Sequence, residues 1–249
     1  MNKYPAKDIL KGKTNIYVTE CLSTNDFLNK ILKKNNLSEW SSVITDFQKK
    51  GRGQRDNSWE SNRGKNLLFS LLLFPNISIK YQFYIHVMIS LSIYNTLREI
   101  GIKNLKIKWP NDIYVNKNKI SGILVENIIH NKKIKKTIIG IGVNINQKKF
   151  SNNIATSIIN EINKEIDKDL ILESLLKNIR KEYGKIKNIN SYNFSSYKKL
   201  LFGYKKKLNF ISDRQPFKGE IIDVKKNGKL VLLIDNKILN FEYGSISLV

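Results

Sequence analysis

The sequence has a single cysteine, Cys21, so no disulfide can form within the chain. It has two histidines, and His86 has no second histidine, cysteine or carboxylate at ligand spacing, so a zinc site is not expected. His86 and His130 therefore read as structural or surface residues. The N-terminus lacks the basic start, apolar run and small-residue cleavage site of a secretory leader. No stretch reaches the roughly 20 apolar residues that a membrane-spanning helix needs; residues 67–74 are too few and residues 81–100 too polar. Internal repeats and low-complexity linkers are also missing. These absences point to an intracellular protein, expected in the cytoplasm, with no membrane segment.

Acidic residues are scarce beside basic ones, 21 against 44, for a formal net charge of +23. Such a charge favours phosphate-rich partners. The lysines, however, are spread over the whole chain among abundant asparagine and isoleucine, as a composition bias would distribute them. No specific nucleic-acid partner is expected. A length of 249 residues suits one sizeable core and a small satellite domain.

Hydrophobic periodicity divides the chain into three blocks. Residues 14–160 alternate strand-like runs with helices. A strand is expected over 14–18, then a helix over 24–37 capped by the hydroxyl of Ser23 or Thr24. Strands follow at 43–47 and 66–74, the latter nearly all apolar, as a strand buried on both faces would be. Tyr84, Val87, Met88, Leu91, Tyr94 and Leu97 recur at helical spacing, and Gly101 supplies a left-handed stop. Leu105, Ile107 and Trp109 alternate with Lys106 and Lys108 as a half-buried strand, which Pro110, Asn111 and Asp112 break. A hairpin over 113–126 follows, turning at 116–118; pairing Val115 with Lys119 sets Gly122 near Asp112. Residues 170–187 and 192–202 read as a helical block. Beyond 204, short β-rich runs separated by Asp213-Arg214, Asn227-Gly228 and Asp235-Asn236 suggest a small antiparallel barrel. The expected domains are 1–203 and 204–249.

Three polar constellations interrupt this pattern. In the loop from Gln48 to Trp59, Gly51-Arg52-Gly53-Gln54-Arg55 combines glycines, which let backbone approach an anion, with arginine forks that grip phosphate or carboxylate oxygens. Alone, it is equally readable as a solvated loop or an RNA-binding patch. The run Lys108-Trp109-Pro110-Asn111-Asp112, with Lys119, Gly122 and Glu126 after it, brings a lysine and an aspartate to the rim of a sheet. Lys119 is suited to neutralising an α-phosphate and Asp112 to orienting or deprotonating an amine; a solvated charge pair on a surface hairpin is the alternative. In Gly140-Ile141-Gly142-Val143-Asn144, two glycines share one side of a strand, a mark of close approach by a ligand or another backbone. No third, helix-opening glycine makes it a dinucleotide fingerprint. Asn144 is a candidate for a phosphate or a base edge.

Taken in order, Ser23-Thr24-Asn25, the 48–59 loop, Asn66-Leu67, Lys108 to Asp112, Lys119 to Glu126, Gly140 to Asn144 and Ala155-Thr156-Ser157 resemble the biotin protein ligase family over nearly the whole chain. The most specific piece is Lys-Trp-Pro-Asn-Asp followed by Lys-x-x-Gly-Ile-Leu. The resemblance implies an α+β fold: a mixed sheet with flanking helices like that of class II aminoacyl-tRNA synthetases and biotin synthetases, then a small SH3-like β-barrel. It implies an enzyme that makes biotinyl-5′-adenylate from biotin and ATP with Mg²⁺, then passes biotin to a lysine of a biotin carboxyl carrier domain. By the same resemblance, Arg52, Lys119 and Asp112 are catalytic. Biotin falls to Ser23, Thr24, Asn25, Gln48, Gly51, Arg52, Lys119 and Gly122. The nucleotide falls to Arg52, Arg55, Trp59, Asn111, Asp112, Lys119 and Asn144. No protein ligand to a metal is assigned, Mg²⁺ arriving with ATP, and a homodimer is left open.

The sequence departs from the family at two loop positions. Where relatives often have Gly-Arg-Gly-Arg-x-Gly, Gln54 stands for the second arginine and Asp56 for the last glycine. Aspartate tolerates left-handed backbone. Gln54 removes a charge, so either Arg55 compensates in part or the intermediate is held less tightly. Some members carry an N-terminal helix-turn-helix; about twenty residues precede Ser23 here, too few for one beside the first strand, so no operator binding is expected. A lipoate-type ligase of the same fold is the nearest alternative. A basic RNA-binding protein is more remote, because aromatic residues follow core periodicity and form no stacking platform.

Overall fold

The computed structural model describes residues 13–54, 57–186, 188–189, 192, 194–212 and 214–248. An eight-stranded sheet contains β1 (Asn15–Val18), β2 (Ser42–Thr45), β3 (Leu67–Leu73), β4 (Ile77–Ser78), β5 (Leu105–Lys108), β6 (Asp112–Val115), β7 (Asn118–His130) and β8 (Lys133–Val143). The order is β1-β2-β3-β8-β7-β6-β5, with β4 also paired to β8. β1 and β2 run parallel; the other pairings are antiparallel.

Helices on both faces explain why β3 is apolar at every position but Ser70. All of its residues are buried. Leu67, Phe69, Leu71 and Leu73 join the large core with α2 (Phe83–Glu99) and α4 (Lys168–Ile186). Leu72 points the other way, into a smaller cluster with Val43, Ile138 and Leu28 of α1 (Thr24–Lys34). Each leucine buried in this way contributes about 1.5–3 kcal/mol. Ser70 interrupts the strand on the α1 side.

Several expected boundaries move. α1 stops at Lys34, and Ser23 occupies the N-cap without a side-chain hydrogen bond. The capping acceptor comes from a distance: Gln48 Oε1 accepts from Thr24 N at 2.8 Å and lies 3.1 Å from Thr24 Oγ1. α2 ends as expected, with Gly101 at φ +92°. Within it His86 is half-buried, stacked on Phe83 at 6.0 Å, and burial pushes its pKa down to about 4. His130 is exposed. α3 (Ile158–Ile162) is too short to show a periodicity in sequence. Of the helix expected at 192–202, only α5 (Ser195–Leu200) forms, while residues 191 and 193 lie outside the described ones. Trp109 falls beyond the end of β5.

The second sheet has five antiparallel strands: β9 (Lys207–Ser212), β10 (Gln215–Val224), β11 (Leu230–Ile234), β12 (Lys237–Phe241) and β13 (Ser247–Leu248), in the order β12-β11-β10-β9-β13. Its turns carry the signalled residues. Gly228 has φ +95°, and Asp235 and Asn236 have φ 45° and 61°, the paired left-handed residues of a tight hairpin. Asp213 lies outside the described residues. The described pairings do not join β12 to β13, so the expected barrel is here an open antiparallel sheet. No helix among the described residues is long and apolar enough to cross a membrane.

Candidate active site

The α1 face of the large sheet is where polar residues collect. The N-terminal turn of α1 brings Ser23, Thr24 and Asn25 into the protein, all nearly inaccessible. Ser70 Oγ lies 2.7 Å from Thr24 Oγ1 and 2.6 Å from Asn25 Oδ1. Its single hydrogen is best used on Asn25 Oδ1, a pure acceptor, so the threonine hydroxyl donates to Ser70 Oγ and Thr24 N remains the donor to Gln48 Oε1. Asn25 Nδ2 then donates to Glu126 Oε2 at 2.7 Å. Glu126 and Asp26 both hold Arg52, at 2.9 and 2.6 Å. One chain of polar contacts thus runs from Gln48 to the loop arginine. Ser70, Asp26 and the part played by Glu126 were not anticipated from sequence; the available signal was a lone hydroxyl inside an apolar strand, because a buried polar group needs a partner.

The hairpin of β6 and β7 supplies the charged pair. Asp112 pairs with Gly122, as expected, but Val115 pairs with Asn118 and Tyr114 with Lys119. Ile120 is the extra residue between Lys119 and Ser121, a β-bulge. Strand side chains alternate, so an odd spacing such as Lys-x-x-Gly would place Lys119 and Gly122 on opposite faces. The bulge brings them to the same face, and Lys119 Nζ sits 2.8 Å from Asp112 Oδ1. Both side chains are partly buried. The lysine backbone is fixed by the 154–156 segment, with Lys119 N donating to Ile154 O at 2.8 Å and Thr156 N to Lys119 O at 2.9 Å. On the same side, Lys108 Nζ donates to Tyr114 Oη at 3.4 Å. Burial, helped by Lys119, pushes the Lys108 pKa down against the pull of Asp112. Burial, then Asp112, raises the Tyr114 phenol to about 12.

The 48–59 loop folds back on itself. Gly53 N donates to Asn57 O at 2.6 Å and Trp59 N to Gly51 O at 2.9 Å. A Cβ on Gly51 would meet Trp59 O at 2.6 Å, so glycine lets the two ends of the loop touch. Gly140 and Gly142 do share a side: one lies under Asn25, the other under the Trp59 indole. The Lys119 ammonium is 5.6 Å from the centre of that ring. Arg55 lies outside the described residues.

These groups line two cavities. The smaller, about 50 Å³, touches Ser23, Thr24, Asn25, Gln48, Arg52, Gly122 and the two strand glycines. The larger, about 700 Å³, touches Asn144, Ser151, Asn152, Ile154, Ala155 and Tyr243. Gly53, Gln54, Trp59, Asn111, Asp112 and Lys119 line both and form the wall between them. Asn144 Nδ2 donates to Thr156 O at 3.0 Å, while its buried Oδ1 has no partner. Gln54 Oε1 and Trp59 Nε1 are likewise buried and unpartnered. Among the described residues, no group of three histidine, cysteine or acidic side chains is placed to hold a metal.

The model of the Biotin/lipoate A/B protein ligase family matches residues 17–144, a span that contains every residue of the smaller cavity. The bifunctional ligase/repressor BirA of Bacillus subtilis (strain 168) is 32% identical over 146 residues, covering 59% of this chain and 45% of that protein. Biotin–protein ligase 1, chloroplastic, of Arabidopsis thaliana is 33% identical over 143 residues, covering 54% of this chain and 37% of that protein. The chain therefore spans less than half the length of either of these relatives. The solved biotin protein ligase from Aquifex aeolicus in complex with biotin and ATP superposes with a TM-score of 0.78 at 27% identity, covering 95% of this chain and 99% of that one. With more than half of its length matched, from β1 through Asn144, the chain belongs to the biotin/lipoate A/B protein ligase family.

Proposed function

We propose that the chain is an ATP-dependent biotin protein ligase of the cytoplasm. The observation that carries this reading is the Lys119–Asp112 pair standing in the wall between two cavities. One cavity offers neutral hydrogen-bonding groups, and the other has room for a nucleotide. Ser23, Thr24, Asn25 and Gln48 suit the neutral ureido head of biotin, with Gly51 and Gly122 giving the chain close approach. The biotin carboxylate then reaches Lys119 and Arg52. A site of about 50 Å³ is far below the roughly 300 Å³ of small-molecule pockets, so Trp59 and its loop shift to admit the vitamin.

In the first half-reaction a carboxylate oxygen attacks the α-phosphorus of ATP, the bond to the bridging oxygen breaks, and pyrophosphate leaves. Two anions must meet, and cationic Lys119 and Arg52 offset their repulsion. In the second, a lysine amine of a biotin carboxyl carrier domain attacks the acyl carbon, AMP departs, and Asp112 orients the amine or takes its proton. Asn111, Asp112, Trp59 and Asn144, with Arg55, serve the nucleotide. Because Asn144 spends its amide on Thr156 and keeps a free acceptor, it suits a ribose hydroxyl or a base amine better than a phosphate oxygen.

The Asp112 carboxylate, which lines the larger cavity, would suit the water shell of a Mg²⁺ held chiefly by the phosphates of ATP. When bound, the ion neutralises phosphate charge. In this reading residues 1–203 are the catalytic domain, built like a class II synthetase, and 204–249 an SH3-like accessory domain. The test is biotin-dependent pyrophosphate release followed by labelling of a carrier domain. Lys119→Ala is expected to lower release by roughly 100-fold. Wild-type protein that releases no pyrophosphate with biotin refutes the reading, and efficient competition by lipoate favours the other branch of the family.

A further inference from the structure

Trp109 sits in the middle of the most specific motif of the chain yet lines neither of the two cavities. Its indole Nε1 instead donates to the Gly228 carbonyl at 2.9 Å, across the boundary between the two sheets. Its ring meets Tyr243 edge-on, with centroids 5.9 Å apart. Gly228 lies in the β10–β11 turn, which is closed by Gly228 N donating to Lys225 O at 2.8 Å and Lys225 N to Lys229 O at 2.9 Å. Only glycine serves at this point. The backbone has φ +95°, and a Cβ would lie 2.8 Å from the Phe83 ring of α2.

The residues that follow Trp109 are held from other directions. Tyr197 Oη of α5 donates to Pro110 O at 3.3 Å, and Asn111 Nδ2 donates to Ile123 O of β7 at 2.7 Å. Asp112 then meets Lys119. Residues 109–112 are therefore pinned one after another by the second sheet, α5, β7 and the charged pair.

We propose that Trp109 is a positioning residue: through its bond to Gly228, the 225–229 turn of the second sheet fixes Asn111 and Asp112 at the wall between the cavities. This rests on the ligase reading above. Displacing a reacting group by about 1 Å can cost on the order of 100-fold in rate, so loss of one such pin is expected to show in the chemistry. Trp109→Phe keeps an aromatic ring and removes the donor. The expected result is a kcat for adenylate formation lowered about tenfold with a raised KM for ATP, while biotin affinity falls by clearly less than the rate. Ser23, Thr24 and Gln48 line only the smaller cavity, away from the change. Gly228→Ala should act in the same direction.

Rates are counted per biotin-titrated site, so misfolded protein does not enter. Unchanged kcat and KM per site overturn the proposal, as does a loss of biotin affinity equal to the loss in rate. If wild-type protein makes no adenylate, the ligase reading falls, and amide exchange still judges the latch. Faster exchange at residues 111 and 112 in Trp109→Phe then supports it, and unchanged exchange overturns it.

Discussion

Gly122 and Gly142 face each other across β7 and β8, and the Trp59 indole rests on the bare patch of sheet between them. A Cβ on Gly142 would lie 2.5 Å from Trp59 Cε2, and one on Gly122 would lie 2.9 Å from Cζ3. Gly142→Ala therefore evicts the ring from its seat. Affinity for ATP is expected to fall about tenfold or more, with about 1–3 kcal/mol lost from stability. Calorimetric titration with ATP checks the first and urea unfolding the second. Wild-type affinity in the variant would mean that the seat plays no part in binding.

Gln54 lies in the wall between the cavities with a buried, unpartnered Oε1. An arginine there adds a positive fork beside the site proposed for the phosphate. Gln54→Arg is expected to slow release of the adenylate by about tenfold, in line with about 1.4 kcal/mol from one charge-assisted hydrogen bond. Off-rates by rapid gel filtration or stopped-flow decide the matter; equal rates would reject a looser grip in the natural sequence.

His86 gives a prediction on pH. Its folded pKa is about 4 against a usual 6.5, and burial is the cause. Between these values the unfolded chain binds a proton that the folded chain refuses, so stability rises with pH across the window. The contribution is fully present above about pH 6.5 and is lost as pH falls toward 4, at up to about 1.4 kcal/mol per pH unit and about 3 kcal/mol in all. Urea unfolding at several pH values should show a shallower slope in His86→Gln. Parallel slopes would mean that the imidazole is not kept neutral.

What the sequence revealed was local. The run at 67–73 reads as a doubly buried strand because every side chain there is apolar except Ser70, and α2 reads as a helix because its apolar positions recur around it. What stayed hidden depends on partners far along the chain. Gln48 caps α1 from 24 residues away, which no capping pattern near Ser23 can announce. The glycines at 122, 140 and 142 signalled close approach, but not that Asn25 and Trp59 are the groups that come near. Straight pairing from Val115 reached the correct Asp112–Gly122 pair through a turn one residue too wide, because the bulge restores the count.

That bulge makes the direction of the Lys119 side chain sensitive to local pairing. Replacing Ile120 with valine or leucine leaves the chain the same number of residues between Lys119 and Gly122, and the ammonium still faces the aspartate. Deleting it leaves the even spacing Lys-Ser-Gly, which keeps the ammonium on the face of Asp112 under strict alternation, whereas drawing Ile120 into the regular pleat turns the amine toward the hydrophobic interior with every residue still present. At this point in the protein it is the irregular pairing of one residue that decides which face the lysine serves.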